Sequence, residues 1–129
     1  MLRNRHRSGF TLIELLIVVV IIGILASIGI MRFKETKGKT YAAALRSDQK
    51  NVAGLQESYF YTNDTYATSV GALNFSSTEG VNITIAEATA GGWSATATHP
   101  AAWPLTCAVY YGGASPVTPA IDEGLINCQ

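Results

Sequence analysis

Three hydrophobic rhythms follow one another along the chain. From Phe10 to Met31 nearly every position is apolar. Beyond Arg32 the apolar residues recur at helical spacing, and after residue 80 the period falls to two. The first two rhythms predict one long helix from Phe10 to about Thr62, closed by the turn formers Thr62-Asn63-Asp64-Thr65. In its second half Tyr41, Leu45, Val52, Leu55 and Tyr59 form an apolar stripe, and Asp48, Gln49, Gln56 and Glu57 are assigned to the other side. Gly23, Ser27 and Gly29 mark where such a helix is expected to bend or loosen, since each glycine costs up to about 1 kcal/mol against alanine. A polar, irregular connection from Asn63 to about Thr78 leads to three strand candidates: Val81–Ile85, Trp93–Thr98 and Leu105–Tyr111. Gly91-Gly92 is the turn between the first two, and the tail from Gly112, with Pro116 and Pro119, reads as a loop. Alternation with one polar side predicts an antiparallel sheet packed on the amphipathic helix, an α+β architecture with the outline of a ladle.

The apolar run has 22 residues and one charge, Glu14. At about 1.5 Å per residue it spans roughly 33 Å, enough for a hydrocarbon core of about 30 Å. Arg3, Arg5 and Arg7 precede it without any acid, which suits a cytoplasmic N-terminus, although Arg32, Lys34, Lys37 and Lys39 follow it and blunt that rule. An ordinary secretory signal has an apolar region of about 7–15 residues ending at a small-residue cleavage site. This run is longer, carries a carboxylate near its start and continues into more helix, so that reading is disfavoured.

In 129 residues the chain has room for one small domain, and 14% charged residues is light for a soluble one. The formal charge is zero, but from Asn51 onward there are six acids and no Lys or Arg. Such a surface repels phosphate, so no nucleic-acid partner is predicted for the C-terminal part. Two cysteines, Cys107 and Cys128, suggest a disulfide if this part lies outside the cytoplasm, the alternative being two free buried thiols. No phosphate-cradling glycine pattern is present, and His99 is the only histidine after the first nine residues. Neither a catalytic set nor a cofactor or metal is therefore expected. Asp122-Glu123 alone falls short of the about 6–8 oxygen ligands calcium takes, and reads as a solvated turn. Tyr59, Phe60, Tyr61 and Tyr66 form either a packing cluster or a stacking platform for a sugar or base, and Trp93 and Trp103 read as core anchors. Asn63, Asn74 and Asn82 each begin a glycosylation sequon, a tripeptide common by chance in a Ser/Thr-rich chain.

Glu14 needs a reason, because a carboxylate in an apolar span is costly. If the chain is cut after Gly9, Phe10 acquires a new α-amine, and Glu14 becomes the acid able to pair with that cation. Alternatively Glu14 only snorkels to the membrane surface.

The run Ser8-Gly9-Phe10-Thr11-Leu12-Ile13-Glu14, the apolar stretch to Met31 and the helix beyond resemble type IV prepilins and pseudopilins with their type III signal. The likeness is strong over leader and helix and looser over the strands and Cys loop. It implies a cleavage site at Gly9/Phe10, cut by a prepilin peptidase that also methylates Phe10, and an assembly role for Glu14 toward the N-terminus of a neighbouring subunit. Many type IV pilins have a proline where Met31 stands, so a proline kink is not expected here. The chain is accordingly divided into a leader (1–9), an apolar transmembrane or filament-core helix (10–31), an amphipathic helix (32–62) and a head (63–129) closed by Cys107 and Cys128. The implied function is structural: a homopolymer of identical subunits, made with an inner-membrane assembly platform and its ATPase. The precursor would lie in the inner membrane and the product in a cell-surface filament. The alternatives are a periplasmic pseudopilin of type II secretion, or a membrane-anchored binding module, which would require neither the Gly9/Phe10 junction nor Glu14.

Overall fold

The computed structural model describes residues 9–102 and 104–129, with the side chains of Lys34 and Glu35 also set aside. The basic leader residues Arg3, Arg5 and Arg7, and Trp103, lie outside the described residues. Helix α1 covers Leu12–Asn63, followed by strands β1 (Asn82–Ala88), β2 (Gly92–Thr98), β3 (Thr106–Gly112) and β4 (Asn127–Cys128). The strands form one antiparallel sheet in the order β1-β2-β3-β4. The architecture is α+β, as the periodicity predicts.

The chain divides into two units, one up to Thr36 and one from Lys37 onward. In the first, α1 runs unbroken through Gly23 and Gly29, and its large apolar side chains from Leu12 to Phe33 are 46–85% exposed. A helix apolar on every side, left uncovered by the other described residues, requires lipid or other protein around it. By length and composition it can cross a membrane.

In the second unit the helix packs on the sheet. Its buried positions are Leu45, Asp48, Gln49, Val52 and Gln56, spaced three, one, three and four. This corrects the sequence reading, which gave Asp48, Gln49 and Gln56 to the solvent side. Side-chain polarity suggested that side, but steps of three and four from Leu45 and Val52 place all three on the packed stripe. Glu57 alone of that group is exposed. Val52 joins Trp93, Ala95 and Val109 in one core cluster, and Leu45 joins Val81, Ala97 and Cys107 in another. The sheet thus turns Trp93, Ala95 and Ala97 of β2 toward the helix, together with Cys107 and Val109 of β3. Small alanines at the centre let the helix come close enough for its polar groups to reach backbone.

Three hydrogen-bonded clamps result. Gln49 Nε2 donates to the carbonyls of Ala95 (3.3 Å) and Cys107 (3.1 Å), bridging β2 and β3. Asp48 accepts from the Thr78 amide at 2.7 Å and its hydroxyl at 2.9 Å. Gln56 grips Ala67 from both sides, accepting from its N–H (2.8 Å) and donating to its C=O (2.9 Å). The connection between helix and sheet, which also contains a 3-10 turn at Val70–Leu73, is fastened at Ala67 and Thr78.

A bulge in β1 between Ile85 and Glu87 reverses the side-chain alternation there. It turns Glu87 to the outer face opposite Ser94, where Glu87 Oε2 accepts from the Ser115 amide at 2.9 Å. Gly92 begins β2 rather than belonging to the turn before it. A Cβ at Gly92 would collide with the Tyr111 carbonyl, and one at Gly112 (φ +64°) with the Gly91 carbonyl. Only glycine permits this approach of the strand ends. The tail returns across the outer face, with Tyr110 Oη donating to the Ile121 carbonyl and Ala114 and Ala120 buried. It then forms a fourth strand that the sequence reading took for loop: Cys107 pairs with Cys128 in register, flanked by two 2.9 Å hydrogen bonds between Thr106 and Gln129. The Cys107–Cys128 disulfide closes this pairing.

Candidate functional site

The segment Gly9–Glu14 holds the residues singled out in the sequence. Gly9, Phe10 and Thr11 precede the helix, and all three are exposed. Among the described residues nothing lies within 4 Å of where a Gly9 Cβ would stand. The helix starts at Leu12 rather than Phe10 because Thr11 caps it. Thr11 Oγ1 accepts from the Glu14 amide at 3.3 Å, and Glu14 Oε2 accepts from the Thr11 amide at 2.9 Å. This is a reciprocal capping box, in which the Ser/Thr and Glu side chains satisfy each other's backbone donors. The Thr-x-x-Glu spacing was available in the sequence, and sequence reasoning, occupied with the charge of Glu14, passed over it. The geometry also brings Glu14 beside residue 10, since its carboxylate bonds to the amide of the very next residue. A negative group at this helix end is favoured by the exposed N–H groups as well.

The other predicted sites resolve into structural roles. The aromatic cluster is split: Phe60 stacks on Tyr66 at 4.7 Å, Tyr59 packs on the core, and Tyr61 stands 91% exposed. Tyr66 Oη donates to Glu57 Oε1 at 3.1 Å. Burial first, then that hydrogen bond and the Glu57 charge, push the Tyr66 hydroxyl above its usual pKa. Trp93 is fully buried and stacks on Tyr111 at 5.1 Å. Glu123 Oε1 accepts from the Gly112 amide at 2.7 Å. His99 stacks on Tyr41 at 4.3 Å and accepts from the Ala101 amide through Nδ1. Among the sequon asparagines, the Asn63 amide donates to the Tyr59 carbonyl, and Asn74 caps the 3-10 turn with φ +51°.

A second surface feature was not anticipated. An open groove of about 560 Å³ lies between the exposed side of α1 and the chain leading into β4. Arg46, Ser47 and Lys50 form one wall, with Tyr111, Leu125 and Ile126 opposite.

Comparison with known proteins bears on the first site. Residues 4–30 match the prokaryotic N-terminal methylation motif. The type IV major pilin protein PilA of Myxococcus xanthus is 36% identical over 77 residues, 60% of this chain and 35% of that protein. Type II secretion system core protein G of Pseudomonas aeruginosa is 32% identical over 72 residues, 56% of this chain and 51% of that protein. The corresponding protein of Aeromonas hydrophila is 33% identical over 73 residues, again 51% of its length. The chain therefore spans about a third to a half of the length of these curated relatives. The methylation motif thus lies across Gly9, Phe10 and Glu14, and over 56–60% of its length the chain is similar to a type IV major pilin and to a core protein of type II secretion.

Proposed function

We propose that this chain is a structural subunit of a type IV pilus-like filament, cut between Gly9 and Phe10, methylated on Phe10 and polymerised through its N-terminal helix. The observation that carries the reading is the all-round exposure of the apolar helix beside an N-terminal segment that matches the methylation motif. In the precursor that surface faces lipid of the inner membrane. In the polymer it faces the same helix of other copies, which keeps each Leu, Ile or Val out of water as the lipid did, a difference of about 1.5–3 kcal/mol per side chain against exposure to water. No cofactor is needed for such a contact.

Cleavage would leave the Phe10 amine one residue from the amide that Glu14 caps. Glu14 uses Oε2 for its own Thr11 N–H, and Oε1 is available to accept from the amine of an adjacent subunit. The capping box holds the carboxylate at the helix end where that second contact is made. In this role a prepilin peptidase, an assembly platform and its ATPase are the partners, and the filament stands on the cell surface.

A second reading, a periplasmic pseudopilin of type II secretion, is favoured by the larger share of core protein G that the chain matches, 51% against 35% of PilA. One experiment addresses both. The chain is produced as sole subunit alongside either assembly machinery, and the sheared fraction is imaged by electron microscopy. Surface filaments with the pilus machinery support the main reading, and filaments only with the secretion machinery support the second. Glu14→Ala should accumulate as processed membrane protein with few or no filaments. Filaments of normal number and length from Glu14→Ala would make Glu14 a surface residue only.

A further inference from the structure

From Tyr41 onward the chain carries two cations, Arg46 and Lys50, against seven acids, a formal charge of −5. Heads of this charge repel one another when packed side by side, and the repulsion is strongest where contact removes water. Arg46 and Lys50 are exposed, lie one helical turn apart on the same face, and neither has a hydrogen-bond or ion-pair partner among the described residues. Both line the groove beside β4, whose far wall is apolar and includes Leu125, 57% exposed.

The acids divide by what they already hold. Asp48, Glu57, Glu87 and Glu123 accept from Thr78, Tyr66, Ser115 and Gly112 within the head. Asp64, Glu79 and Asp122 have no such partner among the described residues. Asp122 sits two residues from Gly124, in the groove's own wall, and Asp64 follows the end of α1. Glu79 is exposed and leads into β1, the sheet edge opposite β4. With neighbouring strands about 4.8 Å apart, the two edges lie roughly 14 Å from each other.

We infer that the Arg46–Lys50 groove beside β4 is a docking site for the Glu79 loop of a second copy of this chain. The contact joins two different edges of the sheet, so it is heterologous and can repeat from copy to copy, whereas a face meeting itself would close a dimer. It places Arg46 and Lys50, the last two cations along the chain, against an acid left unpaired, and Leu125 and Ile126 supply apolar cover that strengthens the pairing. The inference rests on the polymer reading above, but adds a head-to-head contact to a polymer otherwise held by its apolar helices.

The test is charge exchange in the full chain with its assembly machinery, scored as sheared filament yield. Arg46→Glu/Lys50→Glu and Glu79→Lys should each lower yield at least tenfold, and the three changes together should restore at least half of it. Wild-type yield from the single-sign variants overturns the inference while leaving the polymer reading intact. So does rescue by Asp64→Lys in place of Glu79→Lys, or no rescue by either. A wild-type chain that gives no filaments brings down the polymer reading and the inference with it. Because charge reversal can disturb folding, Lys50→Cys/Glu79→Cys provides a second measurement on filaments under mild oxidation. A ladder of covalent dimers, trimers and higher species is expected, with each single variant giving dimers at most. Monomer alone from the double variant contradicts the contact.

Discussion

Thr11 and Glu14 each hold the other's backbone amide, at 3.3 and 2.9 Å, so the acid at the head of the apolar helix is fixed before any neighbour arrives. Substituting a Thr cap by Ala costs about 0.5–2 kcal/mol of helix stability. Thr11→Ala should therefore loosen the carboxylate without removing it. Filament yield is expected to fall a few-fold, well short of the loss for Glu14→Ala, and Thr11→Ser should match wild type. Equal yields from Thr11→Ala and Glu14→Ala would mean that position, not charge, is what Glu14 contributes.

Gln56 and Ala67 give a prediction about the head alone. Gln56→Leu puts an apolar side chain of similar volume on the packed stripe, but strands the buried N–H and C=O of Ala67. Each buried polar group left unpaired costs about 1–3 kcal/mol. The processed chain in detergent should lose about 2–4 kcal/mol against chemical denaturation, followed through the fluorescence of its two tryptophans. A loss below about 0.5 kcal/mol would show that the connection is held elsewhere.

The elements of the fold were legible because their periods are long: α1 and three of the strands follow from spacing alone. What could not be read were short or polar pairings. β4 is two residues long, too short to show a period, and exists because Cys128 lies in register with Cys107. Asp48, Gln49 and Gln56 looked like a solvent face because their partners, backbone groups and the Thr78 hydroxyl, lie in segments 11 to 58 residues away. At the N-terminal site the bond between Thr11 and Glu14 was written in the Thr-x-x-Glu spacing, but the charge of Glu14 drew the reading to a partner outside the chain. The groove at Arg46 and Lys50 required the tail to fold back beside the helix.

Two glycines should respond in opposite directions. Gly54 lies on an exposed part of α1 with nothing within 4 Å of its would-be Cβ, so Gly54→Ala should raise stability by up to about 1 kcal/mol. Gly112 has φ +64° and faces the Gly91 carbonyl, so Gly112→Ala should lower it by more than about 1 kcal/mol. Melting of the two variants in parallel checks both signs.

Tyr66 and Tyr111 set an alkaline limit. Burial, and second to it the nearby Glu57 charge and hydrogen bond, raises the Tyr66 pKa, and burial followed by the Glu57 charge raises that of Tyr111. An acid whose folded pKa lies above its unfolded one stabilises the fold below the unfolded value, and that contribution is lost as pH rises through the folded value. Stability should hold below the ordinary tyrosine pKa of about 10 and decline above it. Tyr66→Phe combined with Tyr111→Phe should flatten the decline between about pH 10 and 12, measured by denaturation at each pH. An unchanged slope would place the alkaline limit in other groups.

The central claim is that processing at Gly9/Phe10 frees an amine for the assembly role of Glu14, and the intact mass of the subunit in sheared filaments tests it most directly. The account predicts a chain beginning at Phe10, heavier by one methyl group, with the Cys107–Cys128 bond intact. A filament subunit that keeps Arg3–Arg7, or that begins beyond Ser27, would contradict it.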